Sequence, residues 1–189
     1  MTRTTGGGFR HGYAFDPAHG MDLAALLAVE PPPPPPGFED FWRTRHARAR
    51  TVDPAPELGP ARISDDGRSA IHDLAYRSTD GVVIRGWFVR PLAGPVCSGL
   101  IVGHGYGGRD GPDLDMAFDQ TAVLFPCLRG LSRSARPDIP ADPDGHVLHH
   151  IASRDDYVLG GCVDDLWLAV SALLVLEPQV AGRIGWSGL

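Results

Sequence analysis

The sequence predicts an α/β protein with a mixed, mostly parallel sheet and helices on its faces. Three observations point there. Residues 71–78 (IHDLAYRS) alternate apolar and polar, Asp80-Gly81 marks a turn, and residues 82–91 (VVIRGWFVRP) alternate again, which reads as a β-hairpin. Residues 98–102 (SGLIV) and 122–125 (AVLF) are short apolar runs of the kind found in strands buried on both faces. Residues 155–176 read as one long helix, with Val158, Leu159, Val163, Leu166, Trp167, Val170 and Leu174 along a stripe and Pro178 just beyond its end. Residues 183–187 (RIGWS) then resemble one more strand.

The remaining elements fall into place around these. Residues 1–36 form an N-terminal extension with three consecutive glycines, a short amphipathic piece over 21–29, and six prolines at 31–36. Each proline fixes φ and removes a donor, so the run is expected to be a stiff polyproline II rod. It reads as a linker; the alternative is a ligand for an SH3-like groove, although no arginine flanks it. The body of the protein is then 37–189. Over 38–50, Phe38, Phe41, Trp42 and Arg45 recur at helical spacing, so a helix should dock this face on the body and leave its basic far side solvated. Residues 112–120 could supply a short helix between the two apolar runs. Residues 133–154, rich in Pro, Asp and His, are expected to lie as a polar loop over a surface.

Composition narrows the function. A chain of 189 residues can bury a sizeable core without disulfides or metal. Its net charge of −6 gives no basic footprint for nucleic acid or an anionic membrane. Cys97, Cys127 and Cys162 form no CxxC pair and suit a reduced cytoplasm. The first 20 residues lack the apolar core of a secretory signal. The most apolar stretch, 167–176, is roughly half the length of a bilayer span.

The chemistry concentrates in Gly103-His104-Gly105-Tyr106-Gly107-Gly108, directly after the SGLIV strand. It matches G-x-G-x-x-G, but a dinucleotide cradle also needs a helix opening on the turn and an acidic residue about twenty positions on. Arg109, Asp110, Gly111 and Pro112 follow instead, and the next strand ends in Pro126, Cys127, Leu128 and Arg129 with no carboxylate. An NADP-binding reading survives only if Arg129 holds a 2′-phosphate. The other reading is an oxyanion hole, in which a backbone N–H after a His-Gly element faces a tetrahedral intermediate. Tyr106 is placed to supply that N–H, a donor typically worth about 3 to 4 kcal/mol of transition-state stabilisation. His146, His149 and His150 with Asp142 and Asp144 follow no strong metal-ligand spacing, so no metal is expected. Asp164 and Asp165 diverge by about 100° on a helix, cannot both face one substrate, and are read as a solvated face.

FEDFW near residue 40, IRGWFVRP at 84–91, HGYGG at 104–108, LRG at 128–130 and DDYVLGGCVDDLWLAVSAL at 155–173 together resemble the acetyl xylan esterase and cephalosporin C deacetylase family of α/β hydrolases. The resemblance runs from about residue 38 to 189. It implies a three-layer α/β-hydrolase fold and a serine carboxylesterase that removes acetyl groups from sugars or similar small esters. It further implies a Ser-Asp-His triad, no cofactor, Tyr106 and Gly105 at the oxyanion and substrate site, Arg129 as a brace for the surrounding loops, and a possible homo-oligomer.

One feature departs from the family. A nucleophile elbow is G-x-S-x-G on a sharp turn after a strand, and Gly185-Trp186-Ser187-Gly188-Leu189 carries leucine at the second small position. In the family register Ser187 is a strand residue, and the nucleophile falls just past Leu189, with the acid and histidine later still. The expectation is therefore a C-terminally truncated domain that carries the oxyanion side of the site and is inactive by itself. A non-catalytic carbohydrate- or partner-binding module with the same fold is the alternative class. An interior strand left at a sheet edge should also make the chain self-associate.

Overall fold

The computed structural model describes residues 12–115 and 119–188. The chain divides between Phe38 and Glu39 into two compact units. In the first, Asp22 caps the short helix α1 (Leu23–Leu27), its carboxylate accepting the Ala25 N–H at 2.8 Å. No residue of this helix is buried, and the six prolines that follow are exposed.

Helix α2 (Phe38–Ala49) leads into the second unit. There the strands are β1 (Glu57–Leu58), β2 (Arg62–Ile63), β3 (Ser69–Arg77), β4 (Val83–Pro91), β5 (Ser98–Val102), β6 (Thr121–Cys127) and β7 (Ile184–Ser187). They form one mixed sheet in the order β1-β3-β4-β6-β5-β7, with β2 also paired to β3. The pairs β5–β6 and β5–β7 are parallel and the others antiparallel, so β3, β5, β6 and β7 run one way and β1, β2 and β4 the other. The expected hairpin is β3–β4, turning at Asp80, whose φ is +61°.

Two more helices complete the unit, α3 (Pro143–Leu148) and α4 (Val158–Leu176). The connection from β6 to β7 crosses β5 and contains α4, which packs Leu168, Ala169, Ala172 and Leu173 against Ile84, Phe88, Ile101 and Leu124 on one sheet face. Successive strand residues point to opposite faces. Trp87, Val89, Leu100, Val102, Val123 and Phe125 therefore bury a second cluster on the other face. Two guanidiniums help cover it: Arg109 lies 4.8 Å over the Phe125 ring and Arg133 4.8 Å over Trp87. Burial on both faces is why SGLIV and AVLF show no alternation. At Gly86 of β4 the backbone of β6 comes so close that a Cβ would run into the Phe125 carbonyl.

The structure departs from the sequence reading in several places. Residues 112–115 have no regular structure, and residues 116–118 of the expected short helix lie outside the described residues. The segment 133–154 is more than a surface loop: it holds α3 and sends the His146 side chain, with no exposed surface, into the interior. α4 starts at Val158, because residues 153–157 form turns, Tyr157 N–H donating to Ser153 C=O at 2.9 Å. At 19 residues it is long and apolar enough to cross a membrane, yet its apolar side packs on the sheet. Finally, Asp164 and Asp165 are fully buried rather than solvated. They face inward because each has its own arginine.

Candidate active site

The chain turns as soon as it leaves β5. Gly103 N–H still donates to the Ser187 carbonyl of β7 at 2.8 Å, and residues 105–108 then close a β-turn, Gly108 N–H donating to Gly105 C=O at 3.0 Å. The closing bond of a β-turn does not use the N–H groups of its two central residues. Here those are Tyr106 and Gly107, and neither donates a hydrogen bond among the described residues. Gly108 sits at φ +71°, where a Cβ would also collide with the Ser132 hydroxyl. That hydroxyl accepts the Arg109 N–H at 2.8 Å, while the Arg109 guanidinium donates to Gly103 C=O at 3.0 Å. The turn is thus tied at both ends to the sheet and to the loop after β6.

His104 adds a tie from inside the turn. Its Nε2 accepts the Leu128 N–H at 2.9 Å and its Nδ1–H donates to Gly105 C=O at 2.7 Å. Burial holds its pKa below that of a free imidazole, the Gly105 hydrogen bond working against it and the charges of Arg109 and His146 adding to it. A second imidazole meets the other side: the His146 ring stands edge-on to Tyr106 with centroids 5.8 Å apart. His146 Nε2–H donates to Arg129 C=O at 2.9 Å, and its Nδ1 has no hydrogen-bond partner. The only other buried side-chain polar atom without a partner among the described residues is Arg109 Nε. Unpartnered buried polar atoms are rare in folded proteins, and both lie on residues that surround the Tyr106 turn.

Behind the turn lies a buried charge network built on two parallel devices in α4. Arg45 lies across Gly160 and pairs with Asp164, four residues on, through Nε at 2.8 Å and a terminal nitrogen at 2.9 Å. Arg129 lies across Gly161 and pairs with Asp165, again four residues on, through Nε at 3.0 Å and a terminal nitrogen at 2.7 Å. Any side chain at either glycine would occupy the space of a guanidinium. Thr79 joins the pairs, donating to Asp164 at 2.7 Å and accepting from Arg129 at 3.0 Å. Asp165 also accepts the Arg129 backbone N–H at 3.0 Å and the Ser78 hydroxyl. Burial works against the Arg129 charge, but Asp165 outweighs it and raises the Arg129 pKa above its ordinary value. Arg129 is therefore a brace, linking β6, the β3–β4 turn and α4.

The other residues singled out in the sequence are placed as follows. Tyr106 is on the turn, 37% exposed, and Gly105 supplies the carbonyl described above. Ser187 belongs to β7, paired with Val102, rather than to a sharp turn; Leu189 lies outside the described residues. His149 and His150 stack on each other at 4.0 Å, neither of them as buried as His146, and Asp142 caps α3. No group of three metal-ligating side chains occurs among the described residues. Residues 109–115 contain no helix, so the glycine turn does not open onto the helix N-terminus that a dinucleotide cradle uses. Burial pushes the Cys162 thiol up to about 12, which removes it as a nucleophile at neutral pH. Sequence reasoning missed the part played by His104, Thr79 and Ser78. The only signal for the charge network was the repeated spacing Gly160/Asp164 and Gly161/Asp165.

A family model for acetyl xylan esterase (AXE1) matches residues 22–179. No match is found among the curated proteins. Among solved structures, acetyl xylan esterase 1 from Thermoanaerobacterium sp. JW/SL YS485 superposes with a TM-score of 0.73 at 21% identity, covering 89% of this chain and 55% of its own. An acetyl xylan esterase from Paenibacillus sp. R4 gives 0.70 at 24% identity, covering 89% of this chain and 56% of its own. The chain thus spans a little over half the length of the structures it resembles, with which it shares the α/β-hydrolase fold.

Proposed function

Because the chain belongs to the acetyl xylan esterase (AXE1) family, we propose that it carries the oxyanion side of a serine-esterase site for acetylated sugars or similar small esters. The observation that carries this reading is the Tyr106 turn, which presents an unused backbone N–H at the end of β5 where the carbonyl oxygen of an ester gains charge. In the proposed reaction a serine hydroxyl adds to the acetyl carbonyl as a histidine takes its proton. The tetrahedral oxyanion is held by Tyr106 N–H and by the N–H after the nucleophile. Collapse expels the sugar alcohol, protonated by the same histidine, and water then releases acetate from the acyl-enzyme.

None of the residues singled out pairs a serine with a histidine base for that sequence. Ser187 is a strand residue paired with Val102 rather than a residue on a sharp turn, His104 spends both ring nitrogens on backbone groups, and His146 is buried. The reading therefore makes the 189-residue chain a binder of acetyl esters and not a hydrolase by itself.

Two measurements test it. Titrating peracetylated xylobiose into the labelled chain should shift the Tyr106 and Gly107 amide resonances, and unmodified xylobiose should not; no shift with the acetylated sugar rejects the oxyanion assignment. Hydrolysis of 4-nitrophenyl acetate should match that of a Ser187→Ala chain, and a product burst lost on substitution would make Ser187 a nucleophile after all.

A further inference from the structure

Gly105 C=O and Tyr106 N–H are the two ends of one peptide unit. That unit is planar and trans, so whatever fixes the carbonyl also fixes the direction of the N–H, which points the opposite way. Two donors converge on this carbonyl: Gly108 N–H, from within the turn at 3.0 Å, and His104 Nδ1–H, from its inner side at 2.7 Å. The ring is itself held from beyond the turn, by the Leu128 N–H on its Nε2 at 2.9 Å.

We propose that His104 is a positioning residue for the Tyr106 N–H, a neutral imidazole that couples the orientation of the Gly105–Tyr106 peptide to the chain leaving β6. The inference rests on the reading of that N–H as the oxyanion donor. The two partners dictate the ring's state. A backbone N–H can only donate, so Nε2 must offer its lone pair to Leu128; a carbonyl can only accept, so the hydrogen must be on Nδ1. Only the neutral Nδ1–H tautomer satisfies both. A second proton would have to enter on Nε2, where the Leu128 N–H already points, and the imidazolium would lose that anchor.

The surroundings favour the neutral form. The titratable groups that act on His104 are Arg109, from its own loop, and His146, from α3, and both oppose a positive charge on it. The coupling of the turn to the chain leaving β6 is therefore held at neutral pH and loosened on acidification. The Nδ1–H bond to Gly105 and the Gly108 bond persist, but the ring that makes the first is no longer itself held by the chain leaving β6.

The test uses the 15N-labelled chain and reads two signals, the tautomer of His104 and the backbone order of residues 105–108. At pH 7.5 long-range imidazole spectra should show the Nδ1–H tautomer, and the Tyr106 order parameter should be near the ~0.85 of rigid backbone. On acidification, protonation of His104 should be accompanied by a fall of the Tyr106 order parameter to below ~0.6 while β3 and β4 amides keep theirs. His104→Ala should show the same local loss at pH 7.5. His104→Gln should restore order without pH dependence, since its amide both accepts and donates. An Nε2–H tautomer, or a Tyr106 order parameter unchanged as His104 titrates, overturns the proposal. If His104→Ala does not fold, the titration of the unsubstituted chain decides alone. Failure of the esterase reading looks different: the tautomer and the order behave as stated while acetylated xylobiose leaves Tyr106 unmoved.

Discussion

Asp165 stands at the junction of several constraints behind the turn. Its carboxylate receives the Arg129 guanidinium, the Arg129 backbone N–H and the Ser78 hydroxyl, all in a fully buried position. Removing one partner of a buried ion pair leaves the other charge uncompensated, at a typical cost of about 3 to 5 kcal/mol. Asp165→Asn should therefore lower the urea midpoint by an amount corresponding to about 3 kcal/mol or more with an unchanged slope, while exposed Asp138→Asn should do little. The midpoint of equilibrium unfolding checks this. His104 sets a second dependence, on pH. Its folded pKa is depressed, so the unfolded chain binds the proton more readily, and stability is fully present above the ordinary imidazole value of about 6.5. It should fall as pH drops through that value. Melting temperatures between pH 7.5 and 5.5 should decline in the unsubstituted chain and decline less in His104→Gln; equal slopes would remove His104 as the source. At this scale the sequence exposed positions better than roles. LRG and the Asp-Asp pair stood out, and the 100° divergence of neighbouring helical residues is real. It led to the wrong surroundings because the partners, Arg45 and Arg129, come from more than 100 and about 36 positions away, and nothing local announces them.

Elements were legible wherever one periodicity ruled. The hairpin alternation became β3 and β4, and SGLIV became β5 to the residue. α4 formed, but the expected stripe is not its buried face: of those residues only Val158 is buried, and Leu168, Ala169, Ala172 and Leu173 make the core contact with the sheet. Legibility failed where tertiary bonds decide: β1 and β2 are two-residue strands paired with β3, and α3 is short and tied by the His146 bond to Arg129 and the Tyr157 hydroxyl bond to Val147. A junction sensitive to a small change is β4–β6, which joins the antiparallel half of the sheet to the parallel half. Gly86 allows the two backbones their approach, since a methyl there meets the Phe125 carbonyl rather than a flexible side chain. Backbone must shift to admit it, and overpacking of this kind typically costs about 1 to 3 kcal/mol. Gly86→Ala should lie at or beyond the upper end of that range, seen as a drop in the unfolding midpoint or in soluble yield. Gly67→Ala, in an exposed turn with open space around it but a φ of +71°, controls for backbone strain alone.

For the whole molecule, the consequential feature is the free side of β7. Gly99 N–H donates to Arg183 C=O and Gly103 N–H to Ser187 C=O, so odd-numbered residues direct their backbone groups at β5. The intervening Ile184 and Trp186 direct theirs the other way, where no strand pairs with them among the described residues. A strand edge with unpaired N–H and C=O groups is a template for another strand. Its side chains add to the attraction. Trp186 is 50% exposed and, with Trp167, Val170 and Leu174, lines a cavity of about 400 Å³ between α2, α4 and β7. Apolar surface gathered beside an open edge is the combination that promotes association, because pairing satisfies the backbone while burying the rings. The 189-residue chain should therefore self-associate at low micromolar concentration, most simply as a two-fold dimer in which Ile184 and Trp186 of one copy face those of the other. Trp186→Lys places a charge at the centre of that contact without altering the β5–β7 bonds, and should shift sedimentation toward the monomer. A chain that sediments as a monodisperse monomer before substitution, with a cooperative melt, would mean that the edge of β7 is protected from pairing.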